Sequence, residues 1–101
     1  MKIIYHPAFT QVYAGDPAAA PGRMESILKE LAAFEFVPPE PVALDDLRLV
    51  HSAEHIGDIR GLGLTYEVAL LSAGEAVNAS ELALAGEPAF GLIRPPGHHA
   101  S

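Results

Sequence analysis

The chain has 101 residues, room for one small domain and too few for two. Half of the residues are hydrophobic, cysteine and tryptophan are absent, and 13 acids against 6 bases leave a net charge of −7. That balance argues against nucleic acid, which needs a basic footprint, and against anionic lipid, while the missing cysteines rule out a disulfide framework and a thiolate zinc site. A cationic partner is permitted. No stretch reaches the roughly 18 apolar residues of a membrane span. The start, MKIIYHP, is too short an apolar run for a signal peptide, and a soluble cytoplasmic protein is expected.

Lys2–Tyr5 is a short apolar run closed by His6-Pro7 and predicts an N-terminal strand. Residues 14–22, AGDPAAAPG, predict a loop. PGRMESILKELAAFEF then predicts a helix, with Met24, Ile27, Leu28 and Leu31 at helical spacing and Glu25, Lys29 and Glu30 on other faces. The run PPEP at 38–41 stops it, because proline lacks the N–H and clashes with the turn before it. Asp45 or Asp46 is a candidate cap for a short turn at 46–50. Ser52 is a candidate N-cap for a second short helix ending near Gly61.

Thr65 is the candidate cap of a third helix, Tyr66 to Ala85, with Val68, Leu71, Val77 and Leu84 as its apolar positions and Gly86 as its C-terminal stop. Gly74 weakens its middle by about 1 kcal/mol relative to alanine. Ala89–Ile93, AFGLI, is a continuous apolar run of strand length. After a long helix it predicts a parallel, central strand of an α/β unit. Arg94-Pro95-Pro96-Gly97 ends that strand, so His98 and His99 lie on the loop leaving its carboxyl end, the edge where open α/β sheets place ligands.

A histidine exchanges protons near neutral pH with little tuning, and two in succession can divide the work: one orients water while the other moves a proton. Adjacent residues do not readily aim both rings at one small ion, so the pair by itself is a weak metal signal. Two polar residues in a terminal loop remain the plain alternative. His6, His51 and His55 are read as surface or cap-forming histidines. His51 and His55 stand four apart, but a Ser52 cap places His51 outside the helix.

RPPGHHA at 94–100 resembles the signature of the zinc-dependent deacetylase superfamily, which includes histone deacetylases, acetoin-utilisation proteins and acetylpolyamine amidohydrolases. Three further blocks resemble the same family in the same order: APGRMESILKEL at 20–31, LVHSAEHI at 49–56 and YEVALLSAGEAVNAS at 66–80. The resemblance implies the N-terminal part of a mostly parallel, arginase-like α/β sheet with flanking helices, taken as a single segment over residues 1–101 and incomplete by itself. It implies that His98 contacts a metal-bound water and that His99 is the general base and then the acid toward the leaving amine. It implies that Gly97 shapes the active-site wall and that Arg23 lies near the inner cavity beneath it.

The family's zinc ligands, its carbonyl-polarising tyrosine and the acidic partners of its histidines all follow the pair, and these 101 residues carry none of them. Only Gly57–Gly63 separates the VHS block from LTYEVA, where the family places a longer excursion with an acidic rim residue; Asp58 is a poor substitute. The resemblance therefore implies a histone deacetylase-like protein, related to hydrolases of acetyl-lysine or acetylpolyamine and inactive by itself. No cofactor is expected in the isolated chain, and zinc is expected in a completed site. Expected partners are a complementary chain or a second copy, and an acetylated amine once the site is complete. The alternatives are a small noncatalytic interaction protein, or one piece of a split or oligomeric amidohydrolase.

Overall fold

A computed structural model describes residues 1–10 and 21–94. Along the chain come β1 (Lys2–Ile4), a 3-10 turn (Pro7–Thr10), α1 (Arg23–Glu30), β2 (Glu35–Val37), α2 (Leu44–Leu47), α3 (Ala53–Arg60), α4 (Leu64–Leu84) and β3 (Ala89–Gly91). The strands form one parallel sheet in the order β2-β1-β3. Helices intervene between successive strands, as parallel pairing requires. This is the expected α/β architecture, a small parallel sheet with flanking helices. β1 is the middle strand among the described residues, and β3 has one neighbour rather than two.

The register sets Ile3 beside Phe36 and Phe90, and Ile4 beside Val37 and Gly91. Because side chains alternate along a strand, these two rows face opposite sides of the sheet. Ile3 joins Phe9, Met24, Val68 and Leu92 in the main buried cluster, and Ile27, Leu28 and Leu31 of α1 pack against it. Phe9 enters from the 3-10 turn and meets Tyr5 edge-to-face at 6.1 Å. His6 fixes that turn by accepting the Ala8 N–H at Nδ1, 3.0 Å away, the cap-forming role expected of it.

α1 ends at Glu30, where the expected helix ran on to Phe36. The chain turns at Leu31–Phe34, with the Phe34 N–H donating to the Leu31 carbonyl, and Glu35–Val37 join the sheet. Three residues are too few to display a period of two, so helical spacing masked the strand. α2 starts at Leu44, ahead of the expected turn, and Ala43 precedes it without a side-chain cap. Asp45 and Asp46 lie in its first turn, where they face the positive end of the helix dipole.

Ser52 caps α3 as expected: its Oγ accepts the His55 N–H at 3.1 Å. α4 begins at Leu64 after Gly63, which puts Thr65 inside the helix rather than at its cap. At its other end the Glu87 N–H donates to the Leu82 carbonyl and the Gly86 N–H to the Ala83 carbonyl, with Gly86 at φ 86°. This double closure stops the helix and sends the chain into β3. Lys2 of β1 ties down the same corner through an ion pair with Glu87 at 3.0 Å, and that hydrogen bond raises the lysine pKa. No described helix is long and apolar enough to cross a membrane.

Candidate functional site

α1 and β3 enclose an open groove of about 700 Å³ on one face of the sheet. Met24, Ile27 and Leu31 line it from the helix, and Phe90, Leu92 and Ile93 from β3 and the residues after it. Arg23, the first residue of α1, lies in the same wall. The groove therefore brings Arg23 beside the strand that leads to the histidine pair. The Leu92 N–H donates to the Ile4 carbonyl at 3.0 Å and holds the outgoing chain against β1. Arg94 follows and is buried. His98, His99 and Gly97 lie outside the described residues.

α4 carries a feature that the sequence reading missed. α4 buries Val68, Ser72, Gly74 and Glu75, whereas Val77 and Leu84 of the expected apolar stripe are exposed. Alanines and leucines surround this helix on most sides, so apolar pattern could not choose its inward face. Val68, Ser72 and Glu75 stand at i, i+4 and i+7, a spacing that would have picked out the carboxyl once Val68 was placed inside. Glu75 has no exposed surface, and neither of its carboxyl oxygens has a hydrogen-bond partner. Burial pushes its pKa up to about 8.

His51 lies outside α3, yet its ring comes within 5.1 Å of the His55 ring, centroid to centroid. The pair sits at the positive end of a helix dipole, which disfavours a bound cation. Among the described residues no three histidine or carboxylate side chains gather to hold a metal ion. The described residues thus do not fit the zinc that the resemblance implies. Asp58, read as a poor stand-in for a rim acid, is an exposed residue of α3.

No family model matches the chain. A probable deacetylase of Methanothermobacter thermautotrophicus is 32% identical over an alignment of 120 positions that takes in 100% of this chain and 36% of that protein. The alignment is longer than the chain, so the relative carries residues with no counterpart here. A histone deacetylase-like amidohydrolase of Pseudomonas aeruginosa is 36% identical over 82% of this chain and 30% of its own length. A chloroplastic histone deacetylase 10 of Oryza sativa subsp. japonica is 35% identical over 60% of this chain and 20% of its own length. The chain thus spans about a third or less of the curated relatives it matches. With a parallel α/β beginning, the RPPGHHA heptapeptide after β3 and these relatives in agreement, the chain belongs to the histone deacetylase-like family of deacetylases and amidohydrolases.

Proposed function

We propose that these residues supply the paired histidines and one wall of an amidohydrolase site that removes acetyl from an amine, and that they do not complete that site by themselves. The observation that carries the reading is the course of β3. It runs parallel to β1, and the chain then passes through Leu92 and Arg94 directly into Pro95–His99. Ligand sites of open α/β sheets gather at that carboxyl edge.

In this reading His99 takes a proton from water as its oxygen bonds to the acetyl carbonyl carbon. It returns the proton to the amine nitrogen as the carbon–nitrogen bond breaks, leaving acetate and free amine. His98 orients the water, and Gly97 keeps the wall thin where the acyl group enters. Arg23, in the groove beneath, holds the negative end of the product. Zinc belongs to the completed site, on donors that the family places after the histidine pair. The oxyanion needs a preorganised partner as well, and removing one such donor costs roughly 3–4 kcal/mol of barrier.

Acetyl-lysine peptide and acetylpolyamine, offered to the purified chain with added zinc, test this. The expected result is no turnover above buffer. Turnover that depends on zinc and disappears in His99→Ala would instead make the chain a self-sufficient hydrolase. A noncatalytic interaction module is the second reading, and the open flanks of the sheet favour it: β2 and β3 each have one strand neighbour among the described residues, and Phe90 is 49% exposed.

A further inference from the structure

Glu75 is a fully buried carboxyl set over a glycine. A Cβ built on Gly91 would lie 3.1 Å from its Oε1 and 3.6 Å from its Cγ, so β3 is bare where the side chain crosses it. Gly91 pairs with Ile4, which is itself fully buried. Both carboxyl oxygens go without a hydrogen bond. An ionised carboxylate in such surroundings is far more costly than the neutral acid.

We propose that the Glu75 carboxyl is a proton-held latch between α4 and β3: carrying its proton, it lets the helix seat on Gly91, and on losing it, it loosens that seat and the strand leading to Arg94. Among the described residues, the groups around it give the carboxyl no hydrogen-bond partner. β3 offers no titratable side chain. On β1, Lys2 is engaged with Glu87, and on β2 Glu35 lies opposite Lys2. Glu40 crosses α4 beside Gly74, but its side chain is exposed and negative. On α3, Arg60 lies over the Tyr66 ring at the start of α4. On α4 itself, Glu67 and Glu81 lie about two turns away on either side. Arg94, after β3, is buried and has a partner of its own, and neither Glu75 carboxyl oxygen is hydrogen-bonded.

Desolvation is the main cause that lifts this carboxyl to about 8; the Leu92 N–H, whose hydrogen bond goes to the Ile4 carbonyl, lies near enough only to oppose it in part. The folded-state value lies above the ordinary 4.5. Folding therefore suffers no penalty from Glu75 below pH 4.5, a growing one as pH rises through the window to about 8, and the full penalty above it. The latch is independent of the deacetylase reading, because its readouts are exchange and titration rather than turnover.

The test uses the 101-residue chain with 13C-labelled glutamate and amide hydrogen exchange corrected for intrinsic rates. The expected result is one carboxyl resonance titrating near pH 8 that is missing in Glu75→Gln. The protection of the Leu92 N–H should fall at least tenfold between pH 6 and 9 in the wild type and stay level in Glu75→Gln. Should Glu75→Gln not fold, Glu75→Met supplies the uncharged reference. Titration of every glutamate below pH 6 would overturn the proposal. So would equal pH dependence of Leu92 protection in wild type and variant.

Discussion

The backbone of Gly74 lies against the carbonyl oxygen of Glu40, so closely that a Cβ at Gly74 would overlap that oxygen and crowd the Val42 nitrogen, 2.9 Å away. Two hydrogen bonds hold the strap there: the Val42 N–H donates to the Leu70 carbonyl at 3.0 Å, and the Glu40 N–H to Asn78 Oδ1 at 2.9 Å.

Gly74→Ala is therefore expected to destabilise the chain although alanine is the better helix former. The gain in helix propensity is about 1 kcal/mol. Against it stands overpacking of backbone on backbone, which costs about 1–3 kcal/mol or more because neither segment has a flexible tip to move. Urea denaturation followed by circular dichroism checks the sign, and a variant more stable than wild type would show that the 40–42 strap is not seated on α4. Asn78→Ala should also destabilise, by about 1 kcal/mol, through loss of the strap's second tether.

Ser52→Ala should cost about 1 kcal/mol, since the Oγ is the side-chain acceptor for the His55 N–H at the start of α3. Ser52→Asp should retain most of the stability, because a carboxylate accepts the same bond and faces the positive end of the helix. Thermal melts of the three proteins separate a capping role from simple loss of surface polarity: in the latter case both variants would melt with the wild type.

How much could be read in advance follows from how local each signal is. The Ser52 cap and the Gly86 stop depend on one or two residues and their immediate backbone, and both lie where the sequence placed them. The extent of α4 was legible for the same reason; its inward face was not. That face depends on the 40–42 strap and on Gly91, which are remote in sequence, and the strap uses Gly74 for close approach rather than tolerating it as a weak point. β2 was hidden because Phe34 and Phe36 fit the tail of a helix as well as a strand, until Lys2 and Glu35 come into register across the sheet. The histidine pair was legible as a motif but lies outside the described residues, and Arg23 lines the groove between α1 and β3 without a role shown for it. Glu75 was lost among small residues because burial of a lone carboxyl is not a local property.

Gly86→Ala should lower stability by about 1–2 kcal/mol, the cost of forcing a residue with a Cβ into the left-handed region. Gly86→Asn should cost less, because asparagine visits that region more readily. The effect should extend beyond the helix end, since β3 begins at Ala89 and Glu87 anchors Lys2 of β1. Amide exchange at Phe90 and Gly91 checks that link: unchanged protection there, despite a lower melting temperature, would confine the damage to α4.

Among the described residues β3 has a strand on one edge only, which leads to a prediction about association. A parallel strand of this kind is ordinarily paired on both edges, and an unpaired row of N–H and C=O groups invites another strand. Phe90 adds an aromatic ring, half exposed, on the groove side of the same strand. Concentration-dependent association of the 101-residue chain is therefore expected in sedimentation velocity over a tenfold range. Phe90→Lys should shift the population toward monomer, because a charged edge resists strand addition and removes apolar area from the contact. Its effect on stability should be modest, since about half of the ring's surface is exposed already. A sharply folded monomer throughout the range, with dispersed amide signals and cooperative melting in both proteins, would mean that β3 needs no second neighbour. The noncatalytic interaction module would then have to bind through another surface.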